Sequence, residues 1–87
     1  AGLDKALKFL EQVLVKDPKH LNALGIKGLC HNNLTQFTQS IEYLSRALAL
    51  KPNCAPLLYL RADDYRETRQ YDKAIADLTK IIALKPR

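Results

Sequence analysis

Two histidines (His20, His31), two cysteines (Cys30, Cys54) and the neighbouring carboxylates Asp63 and Asp64 are the residues of this 87-residue chain best equipped for chemistry. Metal binding needs ligands that converge, as Cys-x2-Cys or His-Glu-x2-His spacings allow, and neither spacing occurs. His20 and His31 lie eleven residues apart in different local contexts. Cys30 and His31 are adjacent, so on a helix they point about 100° apart and form no thiolate–imidazole pair. Cys30 occupies a small-residue helical position and is expected in the core, since a free thiol packs as a small apolar group. Cys54 is expected in a turn just after Pro52. Asp63 and Asp64 diverge on consecutive helical positions and are expected on a solvated face. No Gly-rich phosphate loop is present. These residues predict no enzyme, no metal site and no cofactor.

Composition narrows the class further. The apolar fraction is 47%, with 14 Lys and Arg against 9 Asp and Glu, a net charge of +5. That is too apolar for disorder, and the length allows one domain at most. Two cysteines cannot build a disulfide framework. The positive charge is interleaved with acid, as in Asp4-Lys5, Arg61-Ala62-Asp63-Asp64 and Asp72-Lys73. A nucleic-acid surface would need a basic stripe, so no nucleic-acid partner is expected. No apolar run approaches the ~18–20 residues of a membrane span. Lys8 and Glu11 interrupt the apolar stretch from Ala6 to Val15, so no signal peptide is read there. Free cysteines without a leader predict an intracellular, cytoplasmic location.

The elements that carry these residues repeat. Pro18, Pro52 and Pro86 are spaced by 34 residues, a period typical of repeat arrays. Ala47-Leu48-Ala49-Leu50-Lys51-Pro52 recurs as Ile81-Ile82-Ala83-Leu84-Lys85-Pro86, and Val13-Leu14-Val15-Lys16-Asp17-Pro18 is a looser copy. Ile41 aligns with Ile75, Leu44 with Leu78, Phe37 with Tyr71 and Ser40 with Ala74. Within each period apolar residues recur at three- and four-residue steps, as in Leu3, Ala6, Leu7, Leu10, Val13 and Leu14. Each Lys-Pro or Asp-Pro should end a helix, because the ring disfavours α geometry in the residue before it. The spacing predicts five helices, at 3–16, 21–33, 37–50, 55–68 and 71–84, with Pro56 tolerated in a first turn. No segment alternates with period two, so the predicted class is all-α.

A 34-residue helix–turn–helix unit closing on Pro resembles the tetratricopeptide repeat, whose pattern runs Trp-x2-Leu-Gly-x2-Tyr, Ala-x3-Phe, Pro. Here one unit reads Leu24-x2-Lys27-Gly28-x2-His31, Ser40-x3-Leu44, Pro52. The next reads Leu58-x2-Arg61-Ala62-x2-Tyr65, Ala74-x3-Leu78, Pro86. Gly28 and Ala62 permit close approach within a unit, as do Ser40 and Ala74 on the second helix. Lys27 and Arg61 stand where the pattern has Leu. The related RNA-reading pentatricopeptide repeat has 35 residues, and the 34-residue spacing argues against it. The resemblance implies a right-handed α-solenoid of antiparallel helix pairs. It divides the chain into a partial unit (1–20, a second helix), a unit at 21–54 and a unit at 55–87 lacking a C-terminal capping helix. The absence of Met, and ends that fall inside the period, lead to the expectation of an excerpt from a longer array.

In this family the first helices line a concave groove that holds a partner peptide or helix. The resemblance then implies groove positions at Asn22, Ile26, Leu29, Asn32 and Asn33, and at Tyr59, Asp63, Arg66 and Glu67. Ile26, Leu29 and Tyr59 have no core duty on that phasing. Chaperone adaptors of the family clamp a terminal carboxylate with Lys and Asn. The matching places hold Gly25, Leu29, Pro56 and Leu60, so no such clamp is expected. The expected function is a protein-interaction segment with a protein or peptide partner. The alternative is a docking or spacer segment that acts through its convex face, with contact points such as Tyr43, Arg46, Lys73 and Lys80. Exposed Leu and Ile at both ends also predict a marginal monomer that self-associates end to end or sits in a larger assembly.

Overall fold

The computed structural model describes residues 2–84. Five helices run in chain order: α1 (Gly2–Lys16), α2 (Leu21–Asn33), α3 (Phe37–Leu50), α4 (Ala55–Glu67) and α5 (Tyr71–Leu84). They match the expected helices to within one residue at each described end. The predicted closing role of Pro86 lies outside the described residues.

Local chemistry sets the ends. α1 stops at Lys16 and α3 at Leu50, just ahead of Asp17-Pro18 and Lys51-Pro52. His20 caps α2, its Nδ1 accepting from the Ala23 backbone N–H at 3.1 Å. Pro56 lies in the first turn of α4, where its missing N–H breaks no helical bond.

The turns after α2 and α4 are copies of one another. Thr35 and Arg69, one period apart, both adopt a left-handed backbone, with φ of 59° and 62°. The Gln36 N–H reaches His31 O at 2.8 Å, and the Gln70 N–H reaches Tyr65 O at 2.7 Å. The Thr35 and Arg69 N–H groups bond Asn32 O and Arg66 O. This paired pattern is the Schellman stop, here built without glycine. It folds the chain back within three residues, so α2–α3 and α4–α5 become antiparallel hairpins.

The hairpins stack in sequence: α2 packs on α1 and α4 packs on α3, while α2 and α4 also touch. The result is elongated, 38 × 24 × 18 Å. Leu24, Leu44 and Leu58 are fully enclosed, and Leu3, Ala6, Leu7, Val13 and Leu14 close over Leu10, Ala23 and Cys30. Each buried leucine contributes about 1.5–3 kcal/mol. Gly28 permits the tight α2–α3 crossing, for a Cβ there would lie 2.6 Å from Leu44 Cδ2.

Candidate functional site

α2 and α4 lie side by side and leave a cleft of about 270 Å³ between them. Asn22, Ile26 and Leu29 line it from α2, and Leu57 and Leu60 line it from α4. Ile26 is 49% exposed and Leu29 is 39% exposed, so both present apolar surface that the fold does not use. Gly25 sits at the base, where a Cβ would meet Leu57 Cδ2 at 3.2 Å. Gly25, Leu29, Pro56 and Leu60, at the clamp positions of the family's chaperone adaptors, all line this cleft. None of the four offers a side-chain hydrogen-bond donor.

The groove residues expected from the sequence are divided between two clefts and the ends of α2 and α4. Tyr59, Asp63 and Arg66 line a second cleft of about 310 Å³ between α4 and α5, with Tyr71, Ile75 and Leu78. The repeat explains the division. Tyr59 is one period from Gly25 and lies outside the α2–α4 cleft, whereas Leu60 and Pro56, the period mates of Ile26 and Asn22, line it. Asp63, Arg66 and Glu67 engage one another: Arg66 donates to Asp63 and lies 3.2 Å from Glu67 Oε2. Asn33 is exposed, and Asn32 is turned partly inward.

Asn32 is turned by an unexpected partner. Asp64, expected on a solvated face, is wholly buried at the α2–α3–α4 junction. Its Oδ1 accepts from Asn32 Nδ2 at 2.6 Å and its Oδ2 accepts from Ser40 Oγ at 2.5 Å. Burial pushes the Asp64 carboxyl above the usual carboxylate range, against the pull of those two hydrogen bonds. Cys30 is its period mate and Ala6 that of Ser40. The polar contact at the α3–α4 interface thus replaces an apolar region between α1 and α2.

A second polar layer ties each first helix to both neighbours. Arg61 donates to Asp77 through Nε at 2.9 Å and Nη2 at 2.8 Å, and to Ser45 Oγ through Nη1 at 3.1 Å. Hydrogen bonding to Asp77 raises the Arg61 guanidinium above its ordinary range, with burial opposing. Lys27 holds the same place one period earlier. Its Nζ donates to Tyr43 Oη at 3.1 Å and lies 3.7 Å from Glu11 Oε2. These are the two positions that depart from the pattern's leucine, and both cations are accommodated rather than expelled. No buried side-chain polar atom among the described residues lacks a partner.

His20 caps a helix, and His31 stacks on Tyr43 at 5.7 Å. Both cysteines are free, Cys30 being buried and Cys54 half-buried. Among the described residues, no three His, Cys, Asp or Glu side chains converge for a metal. No described helix is long and apolar enough to cross a membrane.

Residues 2–84 match the family described as anaphase-promoting complex, cyclosome, subunit 3. The chain belongs to this family. It is a family of tetratricopeptide-like repeats, and the repeat resemblance is thereby confirmed. Solved structures agree. A crystal structure of MamA is 28% identical with a TM-score of 0.91, covering 97% of this chain and 49% of that one. MamA AMB-1 in form C2221 is 25% identical with a TM-score of 0.89 over the same shares. MamA MSR-1 in form C2 is 25% identical with a TM-score of 0.83, covering 91% and 45%. The chain spans about half the length of these structures. The fold is therefore a right-handed α-solenoid of antiparallel helix pairs, the architecture of a protein-interaction scaffold.

Proposed function

We propose that this chain is a protein-interaction segment whose α2–α4 cleft holds a partner peptide or helix by apolar contact. The observation that carries the reading is the exposure of Ile26 and Leu29 opposite Leu57 and Leu60. Exposed apolar side chains gathered in a cleft mark a binding surface. Asn22, Ile26 and Leu29 form the contact, with Asn32 and Asn33 at the end of the same helix. Tyr59, Asp63, Arg66 and Glu67 extend it toward the α4–α5 cleft. The division into a partial unit (1–20) and units at 21–54 and 55–87 belongs to the same reading, as does a cytoplasmic location. A chaperone-type carboxylate clamp has no place in it, given the side chains of Gly25, Leu29, Pro56 and Leu60.

Peptides selected from a random display library on this chain test the reading. Ile26→Glu is expected to abolish binding of the selected peptides, and Lys80→Glu to leave it intact. Equal binding by wild type and Ile26→Glu, with the fold preserved by circular dichroism, would refute it.

A second reading rests on α5. Tyr71, Ile75, Leu78 and Ile82 are all exposed along it. Such a face favours a docking segment in a larger assembly, or self-association of the chain end to end. The family's description as a subunit of a multi-protein complex supports the former. Concentration-dependent sedimentation that Ile75→Glu abolishes would favour the latter.

A further inference from the structure

The two buried cations invite comparison, because 11, 27 and 43 become 45, 61 and 77 after one period. Arg61 is neutralised from within by the paired oxygens of Asp77, with Ser45 as a third acceptor. At the Lys27 place the residue equivalent to Asp77 is Tyr43, which is neutral. Lys27 is only 6% exposed, yet its one hydrogen bond among the described residues goes to the Tyr43 hydroxyl. An ammonium has three donors. Glu11, at 3.7 Å, is beyond hydrogen-bond length and lies on an exposed side chain. Burying a cation is costly unless a counter-charge completes it.

The Lys27 ammonium opens onto a cleft of about 400 Å³ between α1, α2 and α3. Arg46 stands at its edge, 5.1 Å from the Tyr43 ring centre, while Lys27 Nζ lies 4.3 Å from that centre. Arg46 is held only loosely, with Glu42 Oε2 at 3.9 Å. Leu14 and the exposed Val15 supply an apolar wall. Two cations and a hydroxyl thus converge on an open space, where the facing carboxylates, Glu11 at 3.7 Å from Lys27 and Glu42 at 3.9 Å from Arg46, stand beyond hydrogen-bond length.

We propose that this cleft receives the carboxylate of an Asp or Glu side chain from a protein partner. The incoming group does from outside what Asp77 does from inside one period later. A carboxylate suits the site better than a phosphate dianion, because Glu11 in the cleft wall and Glu42 beside Arg46 oppose a second negative charge. The site lies outside the α2–α4 cleft and does not depend on it.

The probe is a capped tetraglutamate peptide, titrated into the chain at matched ionic strength and followed by amide chemical shifts. Shifts centred on Lys27, Tyr43 and Arg46 are expected, and a tetraglutamine peptide should give none. Glu11→Gln removes the competing rim charge and should tighten binding about threefold. Arg46→Gln should weaken it about threefold, and Lys80→Gln should leave it unchanged. Arg46 is exposed, so the test does not rest on folding of a Lys27 variant. The proposal is overturned by no binding, by shifts spread evenly over the basic surface, or by equal effects of Arg46→Gln and Lys80→Gln. Tighter binding of inorganic phosphate than of tetraglutamate at the same residues would overturn the carboxylate assignment.

Discussion

Arg61 on α4 grips Asp77 on α5 through two near-parallel hydrogen bonds, at 2.9 and 2.8 Å, across a pair of side chains mostly shielded from water. The same guanidinium also reaches Ser45 on α3. One side chain thereby fixes the α4–α5 hairpin and its docking on the preceding helix. Removing either partner strands the other's charge in a shielded place. Asp77→Ala and Arg61→Ala should each cost about 3 kcal/mol in urea unfolding, and the double variant should cost less than their sum. Strict additivity would show that the pair is not coupled.

Gly28→Ala should destabilise the chain despite alanine's better helix propensity. The new Cβ would meet Leu44 Cδ2 at 2.6 Å and Cγ at 2.7 Å, and Leu44 is completely enclosed by its neighbours. Overpacking costs about 1–3 kcal/mol, and the propensity gain returns at most about 1 kcal/mol. Ala62 occupies the same place one period later, where its partner Leu78 is exposed. A more stable Gly28→Ala variant would mean that Leu44 is free to move.

Thr35 and Arg69 should each be improved by glycine. Both hold a positive φ that favours glycine, and the β-branched Thr35 is the more strained. Thr35→Gly and Arg69→Gly should each raise stability by about 0.5–1 kcal/mol. The gains should add in the double variant, because among the described residues no hydrogen bond joins the two turns. Thermal denaturation of the three variants measures this.

The five helices and their ends were legible because prolines, the 34-residue period and three- and four-residue apolar steps are local signals. The core leucines followed from the same steps. The polar interior was not legible. Asp64 looks like half of a solvated Asp-Asp pair, and only the stacking of α4 on α3 brings Ser40 and Asn32 to it. Arg61 and Asp77 are sixteen residues apart, a separation that means nothing until the hairpin register is fixed. The groove residues divided for a related reason. Helical phase alone points to Tyr59, whereas Leu60 holds the place of Ile26 in the cleft between first helices.

Asp64 makes stability depend on pH in an unusual direction. Its carboxyl is raised above the normal range by burial, so the folded chain holds that proton more tightly than the unfolded one. The stabilisation from that proton is complete below the unfolded value of about 3.9, and is lost as pH rises through the folded value. Asp64→Asn removes the charge; its carbonyl can still accept from Asn32, while its amide N–H would donate to Ser40 Oγ, reversing that bond. Its advantage over wild type should therefore grow from pH 4 to pH 7. Asp64→Ala leaves Ser40 and Asn32 unpaired and should cost about 1–3 kcal/mol. An Asp64→Asn advantage independent of pH would contradict the burial of a titrating carboxylate.

The α2–α4 cleft as the partner surface is tested most directly by site-specific photo-crosslinking in cells. A benzophenone side chain is substituted in turn at Ile26, at Leu60 and at the exposed Lys80. One partner protein captured from both Ile26 and Leu60, and not from Lys80, is the predicted result. Capture from Lys80 with none from Ile26 or Leu60 would contradict the account and assign the interaction to another face.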